Sequence, residues 1–344
     1  MRTRRLETIF SSRNTFIGWI ILLILLALYP QVTELSGIRL LQLTQIFIFI
    51  TLASNWNLIG GMTGYVDFGH AVFFGVGAFV MGILVTQVQN YIVFAPGLSF
   101  WQALPIAGLA AMLFALLIGL PTLRLKGPYF SIAMLGTFVA MREIVRVLKD
   151  FTGGGRGLDL PPVLNRERDY YFMLVWMGLV LIAIWWIHRS EFGQSLMAIR
   201  EDEVGAEMRG INTTKHKIIA FMLAAFSTGI IGGFWAFQNT YIDPDVVFIE
   251  QRTVEMVMAS MLGGLGTVWG PPLGALILYV LQDVVWSRVP EGHLVVLGVL
   301  LIIIVLFVPE GILGTFKNPS STSLGRLLRG YREEQPRPET VATE

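Results

Sequence analysis

Side chains able to do covalent or metal chemistry are sparse in this chain, and their spacing excludes most reactions. There is no cysteine, so thiolate catalysis, disulfides and cysteine-ligated metals are excluded. The four histidines, His70, His188, His216 and His293, are far apart, and no HExxH or HxxxH spacing brings two imidazoles onto one helical face. No GxSxG marks a nucleophile elbow. Two glycine-rich runs remain. FTGGGRGL (151–158) lacks the GxxxxGK[ST] arrangement that cradles phosphate and reads as a flexible external loop. GGLGTVWGPP (263–272) is close to GxGxxG but follows no strand. Nothing pairs a nucleophile with a base or gathers metal ligands, so the chain is read as a non-enzyme with no cofactor or metal of its own.

The informative polar residues stand inside apolar surroundings. NWNLIGGMTGYVDFGHAVFFGVGAFVMG (55–82) carries Asn55, Asn57, Asp67 and His70. Polar groups at membrane depth are costly and tend to face cavities or partners. These four are candidate translocation-pathway residues, with helix capping an equally good account of Asp67. Gly60 to Gly64 is expected to break the helix and Phe68 to begin a new one. Ala71, Gly75, Ala78 and Gly82 then recur as a small-residue stripe suited to close helix packing rather than to substrate. Gly263, Gly264 and Gly266 join the pathway candidates: the chain is expected to enter the membrane, break at these glycines and resume after Pro271–Pro272. A tight turn between ordinary helices is the alternative.

A third feature is the charged island SEFGQSLMAIREDEVGAEMRG (190–210), set between WMGLVLIAIWWI and IIAFMLAAFSTGIIGGFWAF. At helical spacing Leu196, Ile199, Val204 and Met208 share one face, with Arg200, Glu201, Glu203 and Glu207 elsewhere. Gly210 is a C-terminal stop, and Asn212 caps the next helix. The pattern predicts a short helix lying against the membrane, with a solvated interhelical loop as the plain alternative.

The elements that hold these residues are membrane spans. The chain is 54% hydrophobic and 14% charged, with mean hydropathy +0.65. Soluble proteins carry about 25% charged residues. A net charge of +1 gives no field for nucleic acid. A bilayer core of about 30 Å needs about 20 apolar residues per helix. Apolar runs lie at about 15–30, 38–59, 68–88, 101–122, 127–149, 171–188, 217–238, 253–264, 271–287 and 293–309. The fold class is therefore an all-α polytopic membrane protein of about 8–10 transmembrane helices, with a broken or short helix near 253–287. An inward N-terminus places 16 of the 25 lysines and arginines on inside flanks, giving N-in and C-in. Six of the rest, between Arg142 and Arg168, lie outside against that trend. The expected organisation is a cytoplasmic N-terminus (1–14), a transmembrane domain (15–309) with a cytoplasmic loop at 189–217 and an external loop at 150–170, and a cytoplasmic, disordered tail (310–344). The first span is read as retained. Tyr129 and Phe130 read as an interfacial aromatic belt, and Glu255 and Asp283 as carboxylates near the external interface.

Five blocks resemble one family in order. Asn57-Leu-Ile-Gly-Gly-Met-Thr-Gly64 with Gly69-His-Ala-Val-Phe-Phe-Gly-Val-Gly-Ala-Phe79, then LRLKGPYFSIAMLGT (123–137), FTGGGRGL, the island and SMLGGLGTVWGPPLGA (260–275), resemble the LivM family. These are permeases of branched-chain amino-acid type ABC importers. AIREDEVGAEMRGIN is similar to the cytoplasmic EAA loop of such permeases, with Glu203, Gly205, Ala206 and Gly210 at its positions and Val204-Gly205-Ala206 in place of a strict EAA. The resemblance implies ATPase coupling through Arg200, Glu203, Gly205, Ala206 and Gly210. It implies a homologous LivH-type permease, two ABC ATPase subunits that hydrolyse the ATP, a periplasmic substrate-binding protein docking at FTGGGRGL (151–158) with the Arg142–Arg168 charges serving the same contact, and a multi-pass location in the bacterial inner membrane. Branched-chain or related hydrophobic amino acids are the implied substrates, with urea, short amides or another small solute as alternatives. An ion-coupled secondary transporter would need ionisable groups mid-span, which 71–87 and 218–237 lack.

Overall fold

The computed structural model describes residues 13–33, 36–86, 98–161 and 165–288, together with 295, 298, 299, 302 and 311–313. The N-terminal residues before 13, most of the tenth expected span and nearly all of the tail lie outside the described residues. The helices are α1 (Arg13–Thr33), α2 (Gly37–Thr63), α3 (Ala71–Val85), α4 (Phe100–Thr122), α5 (Pro128–Val147) and the single turn α6 (Lys149–Thr152). They continue with α7 (Arg166–Arg189), α8 (Glu191–Glu201), α9 (Glu203–Met208), α10 (Thr213–Asn239), the single turn α11 (Pro244–Val247), α12 (Glu250–Gly263) and α13 (Gly270–Arg288). Four of them, α2, α4, α7 and α10, are long and apolar enough to cross a membrane. The protein is an all-α polytopic membrane protein.

Two helices make the interior. In α2, Phe47 to Thr63 are buried without exception, as expected of a helix apolar on every side. Its hydroxyls are satisfied within the helix: Thr51 donates to Phe47 O, Ser54 to Ile50 O and Thr63 to Ile59 O. The second, α10, lies between α3 and α4. A Cβ on Gly77 would fall 2.0 Å from Gly229 O, and one on Gly232 would fall 2.0 Å from Phe74 O, so only glycine allows these backbones to approach. The expected packing stripe serves another contact. Ala71 and Ala78 are fully buried, while Gly75 abuts the Phe248 ring and Gly82 abuts Ile242 and Leu158.

The outermost helix illustrates how a defect is repaired. Pro30 inside α1 has no N–H for Leu26 O, and the Tyr170 hydroxyl of α7 donates to that carbonyl at 2.6 Å instead.

One end of the bundle is a folded cap. After α6 come a 3₁₀ turn (Gly154–Arg156) and β1 (Leu158–Asp159), which pairs antiparallel with β2 (Tyr241–Ile242), Leu158 opposite Ile242. The glycine run is therefore packed structure and not the flexible loop expected. A Cβ on Gly157 would meet Ile242 O at 2.1 Å, so the glycines serve close backbone approach. The expected external loop also ends early, because α7 already begins at Arg166, with the Asn165 side chain accepting from Arg168 N.

Three further boundaries differ from expectation. The α2 helix runs through Gly60 and Gly61 and ends only at Gly64, in the left-handed region at φ 77°. The α13 helix starts at Gly270, one residue ahead of Pro271 and Pro272. These fall in the first turn, where the missing N–H groups have no intrahelical partner to lose. Tyr129 is exposed as an interfacial residue should be, but Phe130 is fully buried against Tyr65 and Phe221.

Candidate functional site

The charged island is two helices, not one. Ser190 Oγ accepts from Gly193 N to open α8, Asp202 breaks it in extended conformation, and α9 follows. Gly210, at φ 85°, turns the chain away, and Asn212 Oδ1 accepts from Lys215 N to open α10. The break at Asp202 resets the helical phase. Leu196 and Ile199 are buried as predicted, but Val204 and Met208 are 54% and 85% exposed. Ala206 takes the inward position on α9, and Gly205 packs over the Asp202 carboxylate.

Two of the island's charged residues, Arg200 and Glu203, point inward. Arg200 Nη1 donates to Gly61 O at 2.7 Å and to Leu265 O at 3.2 Å. Gly61 O lies in the last turn of α2, where carbonyls lack intrahelical partners and a cation is favoured. Glu203 Oε1 pairs with Lys217 Nζ at 2.6 Å, and its Oε2 accepts from the Tyr65 hydroxyl at 2.6 Å. Lys217 Nζ also donates to the Tyr65 hydroxyl and to Leu123 O, the carbonyl ending α4. The lysine side chain is 2% exposed and the glutamate 16%. Burial alone would raise the Glu203 pKa, but the hydrogen bonds from Lys217 and Tyr65 and the Lys217 charge outweigh it and hold it below the ordinary value. Burial and the Glu203 carboxylate push the Tyr65 phenol up. This clamp ties α9 to the α2–α3 turn, α4 and α10. Lys217, expected in the loop, is the buried centre of it.

The broken helix is pinned from α2. Asn57 Oδ1 accepts from Gly266 N at 2.8 Å, and its Nδ2 donates to Thr267 O at 2.9 Å. Thr267 Oγ1 donates to Gly264 O and accepts from Gly270 N. Backbone groups freed between α12 and α13 are thus satisfied by protein, the condition for a break at membrane depth. Gly263 lies against the Gly270 backbone and Gly266 against Gly61 and Arg200.

Asn55, Asp67 and His70 belong to a second buried network. Asp67 Oδ1 accepts from Gly69 N, and its Oδ2 lies 2.9 Å from His70 Nδ1. His70 Nε2 lies 3.1 Å from Thr228 Oγ1, and Asn55 Nδ2 donates to Ser227 Oγ and Thr228 Oγ1. Asp67 is therefore a turn residue, and α3 starts at Ala71 instead of Phe68, its first N–H donating to Thr253 Oγ1. The Asp–His–Thr line has the order of a proton relay, but all three residues are fully buried. None of Asn55, Asn57, Asp67 and His70 lines either cavity described below.

A profile described as branched-chain amino acid transport system / permease component matches residues 38–305. The chain belongs to this permease family. It is 27% identical to the high-affinity branched-chain amino acid transport system permease LivM of Escherichia coli (strain K12), over 85% of this chain and 73% of that protein. It is 24% identical to LivH of Salmonella typhimurium, over 79% of this chain and 95% of that one. It is 26% identical to the autoinducer 2 import system permease LsrC of Escherichia coli (strain K12 / DH10B), over 82% of each. No solved structure matches.

Sequence reasoning missed one part of the permease. A cavity of about 190 Å³ lies between α2, α3, α10, α12 and α13, with Gln45, Arg252, Glu255 and Gln282 on its wall and Phe49 and Trp235 beside them. A second, of about 320 Å³, holds Arg39 and Asp283 and shares Tyr279 with the first. The available signal was Arg252 and Glu255 at i, i+3 in a segment otherwise read as a span. Among the described residues no group of three or more His, Cys, Asp or Glu could hold a metal.

Proposed function

We propose that this chain is the transmembrane permease subunit of an ABC importer of the bacterial inner membrane, carrying branched-chain or related hydrophobic amino acids. The island faces the cytoplasm and receives one of two ABC ATPase subunits. A homologous LivH-type permease completes the pathway, and a periplasmic binding protein delivers substrate to the folded cap. ATP is hydrolysed by the partner subunits.

The observation that carries this reading is the Arg200 guanidinium, which holds the end of α2 and the α12–α13 break at once. A push on α8–α9 therefore reaches both elements without a flexible intermediary. The outward residues are Val204 and Met208, an apolar pair amid Glu201, Asp202, Glu207 and Arg209, all exposed. An apolar pair set amid charge suits a knob for a protein groove. Glu203 and Arg200 transmit and Val204 and Met208 dock.

Co-purification of the tagged chain in mild detergent, with partners identified by mass, tests the assembly. Val204→Asp with Met208→Asp should abolish recovery of the ATPases while the second permease is retained. Undiminished ATPase recovery from that variant would refute the docking assignment. The likeness to LsrC favours a second reading, another small solute, which substrate-dependent uptake in proteoliposomes decides.

A further inference from the structure

We infer that Arg252 and Glu255 form a binding site for the α-carboxylate and α-ammonium of a zwitterionic amino acid inside the permease, a deepening that rests on the amino-acid reading above. Both side chains line the 190 Å³ cavity and neither is fully buried. The cavity is smaller than the ~300 Å³ at which pockets for drug-sized ligands begin, so it suits a small solute.

The two charges stand on one face of α12 at i, i+3, both turned toward the same space. Each is held by groups that fix its direction. The Arg252 guanidinium lies 3.8 Å from the Phe74 ring centroid and 5.1 Å from that of Trp235, and Nη1 donates to Val247 O at 3.1 Å. Stacking of this kind is a property of the planar guanidinium and makes its presence in an apolar region tolerable. Glu255 Oε1 accepts from the amides of Gln251 at 2.8 Å and Gln282 at 3.1 Å. Gln45 reaches the same cavity with its amide bonded to Gln238. Ile48, Phe49 and Leu52 supply an apolar wall from α2.

Charge balance selects the ligand. Arg252 and Glu255 already attract each other, so an anion or a cation in this site would bring a net charge into a region where that is costly. A zwitterion pairs both and adds no net charge. The apolar wall then receives the hydrocarbon side chain. Gln45 is eight residues into α2, about 12 Å along its axis from Gly37, so the site lies toward the capped end and away from the island. That is where substrate released by a binding protein would first be held.

The test uses the complete importer, both permeases, ATPases and binding protein, in proteoliposomes with radiolabelled leucine. Glu255→Gln, which is nearly isosteric, and Arg252→Gln should each lower the kcat of leucine uptake at least tenfold. The KM should stay unchanged, because the binding protein sets affinity for external substrate. In the importer without binding protein, leucine should displace bound labelled leucine at least tenfold more effectively than isovalerate or isoamylamine, which each lack one charge. Wild-type kcat in Glu255→Gln, or equal competition by the three probes, would overturn the site while leaving the transport reading intact. Failure of the wild-type complex to take up any amino acid would instead overturn both.

Discussion

Replacing Lys217 by Met tests the clamp most sharply. The substitution keeps the aliphatic stem and removes the ammonium that joins Glu203, Tyr65 and Leu123 O. Removing one partner of a buried ion pair costs about 3–5 kcal/mol, chiefly by stranding the other charge. Glu203 is 16% exposed, so water offsets part of this and the low end, about 3 kcal/mol, applies. At 1.4 kcal/mol per factor of ten, the island would leave the bundle more than a hundredfold more often. The assay is a double-mutant cycle on the assembled importer, reading thermal stability and ATP hydrolysis without binding protein. Lys217→Met should lower the first and raise the second, because α9 no longer reports to the spans. Adding Glu203→Gln should restore much of the loss, since it removes the stranded charge. Losses that simply add would refute the claim that these two charges compensate each other.

The remaining expectations concern neighbouring parts. The Glu203 pKa is held below its ordinary value of 4.5, so the pair contributes its full stability above that value and loses it as pH falls through the lowered pKa. Exchange protection of the α9 amides should be flat from pH 8 to about 5 and fall below it, and Glu203→Gln should abolish that fall. Asn57→Ala leaves Gly266 N and Thr267 O unpaired, each worth about 1–3 kcal/mol when buried, and should cut transport with membrane insertion intact. Uptake by reconstituted protein checks it. Gly77→Leu drives a side chain into the Gly229 backbone and should prevent assembly, measured as loss of monodisperse protein, whereas a Cβ at Gly136 would meet no neighbour within 4 Å, so Gly136→Leu should be tolerated.

Much of this was legible in sequence because each feature had a local cause. Apolar runs located α2, α4 and α10 within a few residues, and glycines with adjacent prolines marked the break between α12 and α13. Gly210 and Asn212 announced the end of the island. The failures share a different cause. Val204 and Met208 were assigned inward because helical phase was carried through Asp202, and nothing local marks the extended residue that interrupts it. Lys217 was counted as a loop charge because a lysine in the first turn of a span has the same local sequence whether it faces water or a carboxylate 14 residues earlier. The partners of Asn55 and Asn57 lie 172 and 210 residues downstream, beyond any periodicity argument. Arg252 was passed over, and Glu255 was read only as an interfacial carboxylate, for the same reason: their cavity is closed by residues of α2, α3, α10 and α13, which approach only in the fold.

Those sequence separations also set a timetable for making the protein. The α2 helix must enter the membrane long before the residues that complete it exist. At about 5–20 residues per second, the ribosome needs about 10–40 s to add the 210 residues between Asn57 and Thr267. Throughout that interval Asn57 resides in a nascent chain whose eventual acceptor has not been synthesised, and Asn55 waits 172 residues for Ser227. A helix buried from Phe47 to Thr63 in the finished permease thus waits for a late partner, and a chain stopped before Thr267 exposes the Asn57 amide to lipid or to quality control.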